Sequence, residues 1–321
     1  MKSGVMWRVE PLQILLAVAL DLLLGDPRGW PHIARATGDI SAFYEKWLAG
    51  KFKRSIALGA LFWALVAGTM LLGYTIACFL CGWLSPLLAY ALNVLVIYQS
   101  VAAVDLARHV RRVLAPLLAG DLDHAREKLS LIVGRDTGAL DESEISRAAI
   151  EATAESLTDA VVAPLFWAVV AGAPGALLYR VANTLDSMVG HRDERYERFG
   201  RASARIDDAL NWLPARLAAG CIAARFGLFP AWKAICGEAK KHASPNAGWT
   251  EAAMAYALKV RLGGENVYHG VRIVGPVFNK ESFSPAPLDV ERGLGVMWRA
   301  FVMALAVLLL CSLTLNRLLQ S

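Results

Sequence analysis

Residues 55–104 form a run of 50 positions that contains no aspartate, glutamate, lysine or arginine. A helix needs about 20 apolar residues to cross the hydrocarbon core of a bilayer. The run is therefore long enough for two membrane spans, and the sequence G-W-L-S-P at 82–86 provides a turn between them. We predict spans at 55–80 and 84–104.

Two more apolar segments follow the same pattern, one at 298–316 and one at 12–24 that Asp21 interrupts. The chain is 56% hydrophobic and 19% charged, whereas average soluble domains carry about 25% charged residues. This composition excludes a disordered chain, and five cysteines exclude a fully paired disulfide scaffold. We predict an all-α, polytopic integral membrane protein with about four full spans, forming a single domain over residues 1–321.

The apolar segments 160–182 and 209–229 are less regular. The first contains A-G-A-P-G at 171–175, and the second carries Arg216 and Arg225. Glycine and proline interrupt helices, so we predict broken or partly inserted helices there. The many Lys and Arg residues beside the spans favour the cytoplasmic side for their flanks. We therefore expect amphipathic helices at 105–158 and a polar loop segment at 238–296, both cytoplasmic.

Three carboxylates, Glu151, Glu155 and Asp159, are spaced at i, i+4 and i+8. On a helix this spacing places them on one face. Such a row of like charges is compensated most simply by a cation, and Mg²⁺ prefers oxygen ligands and commonly bridges carboxylates to phosphates. The alternative is a solvated acidic face that pairs with nearby arginines.

Two further polar clusters lie at the edges of the apolar segments. Carboxylate and amide side chains recur there at helical spacing, and arginines that suit phosphates stand beside them. The residues are Asn183, Asp186, Arg192, Arg205, Asp207, Asp208 and Asn211. A compact polar turn containing Arg135 and Asp136 precedes the acidic helix and is either a plain loop or a substrate contact.

Common nucleotide and metal motifs are not found in the sequence. It has no G-x-x-x-x-G-K-[ST], no G-x-G-x-x-G, no serine-hydrolase elbow and no histidine pair at metal-ligand spacing. The residues alone therefore indicate a membrane protein with an acidic, arginine- and amide-containing site suited to Mg²⁺-bound phosphate chemistry, and they do not reveal a nucleotide site.

Several further sequence blocks, most of them rich in glycine, proline, asparagine or charged residues, are spread along the chain. The blocks are L-G-D-P at 24–27, W-P-H at 30–32, V-G-R-D-T at 133–137, A-P-L-F at 163–166, G-A-P-G-A at 172–176, N-T-L-D-S-M-V-G at 183–190, E-R-Y at 194–196, A-R-I-D-D at 204–208, N-W-L-P-A-R-L at 211–217, S-P-N-A-G-W at 244–249, E-A-A at 251–253 and L-G-G at 262–264. These blocks, and their order over most of the chain, resemble the adenosylcobinamide-phosphate synthase family of cobalamin biosynthesis. The chain departs from the family where it has Ser156 in place of asparagine, Ala160 in place of glycine, and G-H-R at 190–192 in place of G-Y-K.

The resemblance implies an ATP-dependent ligase that joins adenosylcobyric acid to (R)-1-amino-2-propanol O-phosphate or a related amino-alcohol phosphate. It implies ATP and Mg²⁺ as co-substrate and cofactor, a corrinoid substrate, and a multi-pass position in the bacterial cytoplasmic membrane with the site facing the cytoplasm. Expected partners are the two substrates, membrane lipid and other membrane enzymes of the cobalamin pathway, but no nucleic acid.

Residue roles follow from the same resemblance. Mg²⁺ is expected on Glu151, Glu155 and Asp159, with Asp186 as a further catalytic carboxylate. Asp207 or Asp208 is expected to accept the amine proton or hold a second metal ion. The expected phosphate and substrate contacts are Arg135, Asp136, Asn183, Arg192, Arg205, Asn211, Ser244 and Asn246.

Three competing functions fit the sequence less well. A Mg²⁺-dependent membrane prenyltransferase would need two separate aspartate-rich helices. A transporter would need more full spans and repeat symmetry. A non-enzymatic membrane regulator or scaffold, as in a sister group linked to β-lactamase regulation, would tolerate substitution of the carboxylates.

Overall fold

The computed structural model describes residues 10–27, 29–49, 51–190 and 196–318. These residues are mainly helical. The helices are α1 (Pro11–Leu24), α2 (Ile33–Ala49), α3 (Ile56–Leu84), α4 (Pro86–Ser100), α5 (Ala103–Leu118), α6 (Leu122–Leu129), α7 (Glu142–Leu157), α8 (Ala163–Val189), α9 (Arg201–Phe226), α10 (Trp232–Ala239), α11 (Ala247–Leu258) and α12 (Pro287–Leu318). A five-residue π turn, Thr158–Val162, lies between α7 and α8, and a short 3₁₀ turn, Phe229–Ala231, precedes α10.

Four helical segments are long and apolar enough to cross a membrane: Ile56–Leu84, Pro86–Leu118, Glu142–Val189 and Pro287–Leu318. The predicted all-α class with about four spans is thus confirmed. The four segments include Glu142–Val189, which was not predicted as a full span, and they do not include the predicted span at 12–24. Helix α1 has only 14 residues, fewer than the roughly 20 that a span requires. The protein is a multi-pass membrane protein.

The chain divides into two compact units, each assembled from separate segments. The first unit comprises Met1–Ala102, Ala163–Asn211 and Val307–Ser321, and the second comprises Ala103–Val162 and Trp212–Ala306. In the first unit α8 packs against α2, α3 and α4. In the second unit α7 packs against α5, α6 and α11, and also contacts β1 (Leu262–Tyr268).

Helix α7 begins with the local sequence signal that predicts a helix start. The Asp141 side chain accepts a hydrogen bond from the Glu144 N–H (2.8 Å), and the Glu144 side chain accepts one from the Asp141 N–H (2.9 Å). This reciprocal capping box satisfies backbone donors that would otherwise have no partner at the helix start. It fixes where α7, the helix that carries Glu151 and Glu155, begins.

Helix α8 is interrupted where the sequence predicts a break. Ala171 and Gly172 have non-helical dihedral angles, and Pro174 follows within the same helix. Gly172 adopts φ 65° and ψ −157°, a region that is essentially restricted to glycine. By contrast, α9 runs through Pro214 as one helix to Phe226, without the break expected at 209–229.

Replacement of Gly172 by alanine is expected to lower the free energy of unfolding by about 1–3 kcal/mol, because a Cβ strains this backbone conformation. Chemical denaturation in detergent measures the loss. Gly73→Ala is the matched control: Gly73 lies inside α3, and a Cβ added there meets no atom within 4 Å. Equal stabilities of the two variants would contradict the prediction.

A β-hairpin interrupts the segment that the sequence predicts as polar loop. Strand β1 pairs antiparallel with β2 (Val271–Phe278), and a bulge lies between Gly263 and Glu265. A Cβ at Gly263 would overlap the carbonyl oxygen of Pro276, and its φ is 77°. Glycine is therefore required at this bulge, which bends the strand at the base of the hairpin.

Candidate functional site

Most of the predicted site residues lie in two clusters, one within each compact unit, together with residues that were not predicted. The second unit contains an acid–arginine cluster made of Arg135, Arg147, Glu151, Glu155, His242 and Glu251. The first unit contains an aspartate–amide cluster made of Asn183, Asp186, Asp207, Asp208 and Asn211.

Glu151 is the centre of the acid–arginine cluster and is only 3% exposed. Its Oε2 lies 2.6 Å from Nη2 of Arg135, and its Oε1 accepts a hydrogen bond of 2.7 Å from the Gly263 N–H. Arg147 Nη1 lies 3.6 Å from the same Oε1. Each carboxylate oxygen thus accepts from a protein donor, and the role of a Mg²⁺ ligand predicted for Glu151 stays a prediction.

Arg135 and Asp136 hold the β-hairpin. Arg135 Nη1 donates to Oδ1 of Asn266 (2.7 Å). Asp136 accepts hydrogen bonds from the backbone N–H groups of His269 (3.2 Å) and Gly270 (2.8 Å) at the hairpin turn. Of the two interpretations of this turn, a plain loop or a substrate contact, these bonds favour a structural loop that braces the hairpin.

Glu155 and Asp159 are placed differently from Glu151. The Glu155 side chain is exposed, and the charges that act on it are those of His242, Arg135 and Glu151. Asp159 is half-buried in the π turn, where the regular α-helical spacing of the acidic row ends. Short π segments within helices occur frequently at functional sites. In the described ranges no group of three or more His, Cys, Asp or Glu side chains is arranged to hold a metal ion.

Glu251 on α11 joins this cluster from a different part of the chain. It is 6% exposed, and burial raises its pKa well above the ordinary value, with further contributions from the Glu151 and Glu155 carboxylates. His242 Nε2 lies 3.7 Å from Oε1 of Glu251. The Ser244 N–H donates to Nδ1 of His242 (3.0 Å), which orients the ring so that its other nitrogen faces Glu251.

Ser244 and Asn246 form the start of α11. The Ser244 Oγ accepts hydrogen bonds of 3.2 Å from the N–H groups of Asn246 and Ala247. Asn246 Oδ1 accepts a hydrogen bond from Arg216 (3.2 Å), whose guanidinium lies over the ring of Trp212 at 4.3 Å and that of Trp249 at 4.7 Å. Ser244 thus has a capping role, and Asn246 is held by an arginine between two indoles.

The aspartate–amide cluster is linked by a chain of hydrogen bonds. The Tyr179 hydroxyl donates to Oδ1 of Asn211 (2.9 Å), and Nδ2 of Asn211 donates to Oδ2 of Asp207 (2.9 Å). Asp207 is 8% exposed. Burial, followed by the neighbouring Asp186 carboxylate, raises the pKa of Asp207 to about 7, although the hydrogen bond from Asn211 opposes this rise. A carboxyl group with this pKa can accept and release a proton near neutral pH.

The remaining predicted residues lie around this cluster or outside the described part of the chain. Asn183, Asp186 and Asp208 are half-buried, whereas Arg205 is exposed on α9. Arg192 lies outside the described residues.

Comparison with known proteins identifies the relatives of the chain. A model of the CobD/CbiB protein family matches residues 14–297. The chain belongs to the CobD/CbiB family. No solved structure matches it.

Relatives of near-equal length support this assignment. "Cobalamin biosynthesis protein CobD" of Halalkalibacterium halodurans is 40% identical over 310 residues, covering 93% of this chain and 95% of the relative. The CobD protein of Rhodobacter capsulatus is 41% identical over 308 residues, covering 89% and 92%. "Cobalamin biosynthesis protein CbiB" of Salmonella typhimurium is 37% identical over 303 residues, covering 92% and 95%.

Both clusters of this CobD/CbiB chain lie within the matched residues 14–297. Sequence reasoning did not identify Glu251, His242 or Tyr179 as members of these clusters. Glu251 is the first residue of the E-A-A block and the one carboxylate of α11, which is a signal that could have found it. Tyr179 lies in an apolar helix and carries no such signal.

Replacement of Glu251 by glutamine is expected to stabilise the protein increasingly as the pH rises from 5 to 8. A carboxyl group with a raised pKa in the folded state favours folding below its ordinary pKa and loses that contribution as the pH rises through the raised value. Glutamine does not ionise, so the variant avoids this loss. We expect a melting temperature roughly 2–4 °C above that of the unmodified protein at pH 8.

Thermal melts in detergent at both pH values check this result, with the exposed Glu281→Gln as the matched control. A difference of the same size at pH 5 and pH 8 would show that Glu251 does not carry the proton.

Proposed function

We propose that this CobD/CbiB protein is an ATP-dependent ligase of cobalamin biosynthesis in the bacterial cytoplasmic membrane, with its site facing the cytoplasm. It would join adenosylcobyric acid to (R)-1-amino-2-propanol O-phosphate, or a related amino-alcohol phosphate, and release adenosylcobinamide phosphate. A role in cobalamin biosynthesis is supported by the near-full-length similarity to proteins named for that pathway.

The chemistry of this ligation requires activation of a carboxylate and deprotonation of an amine. A propionate oxygen of the corrinoid attacks the γ-phosphorus of ATP, which gives an acyl phosphate and ADP. The amine nitrogen then attacks the acyl carbon, inorganic phosphate leaves, and the nitrogen gives up a proton. The sum is one amide bond formed, with ATP converted to ADP and phosphate.

Asp207 is the residue best suited to accept the amine proton. Its pKa of about 7 lies near the working pH, which is the condition for efficient general base catalysis. Asn211 fixes Oδ2 of Asp207 through a 2.9 Å hydrogen bond, and Tyr179 in turn holds the Asn211 amide. The neighbouring Asn183, Asp186 and Asp208 would surround the reacting groups with hydrogen-bond partners and charge, and Asn183 would also bind an amide of the corrinoid.

In the proposed reaction, Mg²⁺ would bind together with ATP, at its phosphate groups. Glu151 already binds Arg135 and the hairpin backbone, so it is a less available ligand than the other carboxylates of the acidic row. The exposed Glu155 and the half-buried Asp159 are carboxylates of the kind that contact phosphate-bound Mg²⁺. Arg205, exposed on α9, and Arg192 are the proposed phosphate contacts.

The test combines purified protein in detergent with adenosylcobyric acid, the amino-alcohol phosphate, ATP and Mg²⁺. A corrinoid product with the mass of both substrates minus one water, formed only with ATP and accompanied by ADP, would support the proposal. Folded protein that forms neither the product nor ADP would reject the ligase and favour a membrane regulator.

The Asp159→Asn variant is expected to lose most of the ligase activity and to keep its melting temperature. Asparagine keeps the shape of the side chain and removes the charge that would face the Mg²⁺–phosphate group. Product formation and a thermal melt are measured on the same preparation. Full activity in this variant would exclude Asp159 from the site.

A further inference from the structure

A polar groove of about 500 Å³ lies within the second unit and contains none of the residues assigned to the reaction above. It is formed by the first turns of α7, the bulged base of the β-hairpin and the segment that follows β2. Small-molecule sites in proteins commonly have volumes of about 300–1,000 Å³. The groove is therefore large enough for a small metabolite.

The walls of this groove are fixed by the protein itself. Arg147 donates hydrogen bonds to the carbonyl oxygens of Gly263 (2.6 Å) and Glu265 (2.9 Å), on either side of the bulge. The capping box of Asp141 and Glu144 fixes the start of α7, which forms another part of the wall. A preformed site of this kind loses little conformational entropy when a ligand binds.

Two cations in the groove are not neutralised. Arg261 and Lys280 are exposed, and neither forms an ion pair with a carboxylate of the described residues. Arg261 Nη2 donates to Oγ of Ser284 (2.7 Å), which also lines the groove. Arginine and lysine placed together with a serine hydroxyl are typical of sites that bind phosphate groups.

The groove also carries negative charge, from Asp141, Glu144 and Glu265. A purely anionic ligand would be repelled by these carboxylates, whereas a ligand that carries both a phosphate and an ammonium group is complementary to the mixed lining. The amino-alcohol phosphate is such a molecule at neutral pH. Its phosphate is anionic, and its alkylamine, with a pKa of about 10, is protonated.

We propose that this groove binds the amino-alcohol phosphate, with Arg261 and Lys280 on the phosphate group and the carboxylates of the α7 cap near the ammonium group. The assignment rests on the proposed function, because it names the site of one of its substrates. It assigns phosphate binding to residues outside the arginines that the sequence suggested.

The experiment measures KM for each co-substrate in the ligase reaction, and separately the binding of (R)-1-amino-2-propanol O-phosphate alone by calorimetry. Arg261→Gln, Lys280→Gln and the double variant are compared with Lys241→Gln, which removes an exposed cation elsewhere in the same unit. We expect KM and Kd for the amino-alcohol phosphate to rise about tenfold for each cation removed, the size of one charge-assisted hydrogen bond. KM for ATP and the behaviour of Lys241→Gln should not change.

A ligand without the amine separates the two halves of the proposal. Binding of 1,2-propanediol phosphate to the unmodified protein is expected to be about tenfold weaker, since it has no ammonium group to face the carboxylates. Equal binding of the two compounds would overturn the pairing with the ammonium group. A selective rise in KM for ATP would instead make the groove a nucleotide site and overturn the assignment.

The outcomes distinguish this inference from the proposed function. If the variants are active and their KM for the amino-alcohol phosphate is unchanged, this substrate does not bind in the groove, whereas the proposed ligase activity stands. If the unmodified protein has no ligase activity but binds the amino-alcohol phosphate, and the double variant loses this binding, the groove is a binding site and the ligase proposal is wrong.

Discussion

Replacement of Asp207 by asparagine is expected to lower kcat of the ligase reaction by a factor of about 10²–10⁴, the usual contribution of a positioned general base. Asparagine has nearly the same shape as aspartate, and the buried site already carries a carboxyl group that is half protonated near pH 7. The variant should therefore fold normally. Product mass and ADP release are measured at saturating substrates, and a thermal melt reports the folded state.

The pH dependence gives a second readout of the same residue. Only the carboxylate form of Asp207 can accept the amine proton, so kcat/KM should rise with pH and level off above about 7. Asp39→Asn, which changes an exposed aspartate on α2, should keep both the activity and the pH profile. An Asp207→Asn variant that retains the rising limb would assign it to another group and remove Asp207 from the proton transfer.

Replacement of Glu151 by alanine is expected to destabilise the protein by about 3–5 kcal/mol, the cost of leaving buried charges without their partner. Arg135 and Arg147 each have only 12% of their side chains exposed, and both would lose the carboxylate. The Gly263 N–H would lose its acceptor as well. Chemical denaturation in detergent measures the loss, which should be much larger than any change in the KM values of the folded fraction.

Glu265→Ala is the matched control, because Glu265 is half exposed and lies 3.4 Å from the exposed Arg272. Exposed ion pairs contribute about 0–1 kcal/mol, so little change is expected. The two possible roles of Glu151, an ion-pair partner or a Mg²⁺ ligand, predict different effects of Mg²⁺ on the stability of the protein. If Mg²⁺ alone stabilised the unmodified protein and this effect vanished in Glu151→Ala, the ion-pair explanation would be wrong.

The sequence predicted the features that depend on local pattern. The uncharged run at 55–104 forms α3, α4 and the start of α5. The glycine- and proline-containing stretch at 171–175 forms the break in α8. The i, i+4 spacing of Asp207 and Asn211 likewise became a direct hydrogen bond. In each case the residues concerned are close in the chain, so helix geometry alone sets the outcome.

Features that depend on distant residues could not be predicted in this way. Glu151 and Glu155 share a helix and a spacing, yet one is buried by Arg135 and Gly263 and the other is exposed. Gly263 is 112 positions away from Glu151, and no local period encodes that contact. The hairpin was missed because its glycines and charged residues resemble loop composition, while its stability depends on Arg135, Asp136 and Arg147 from elsewhere in the chain.

The discontinuous composition of the two units has a consequence for synthesis on the ribosome. The first unit needs the segment from Val307 onward, which emerges only after the whole of the second unit has been made. The second unit is likewise interrupted by 163–211, which belongs to the first. The first unit therefore cannot be completed during the early part of translation, and no single cut in the gene would yield the two units as separate, intact proteins.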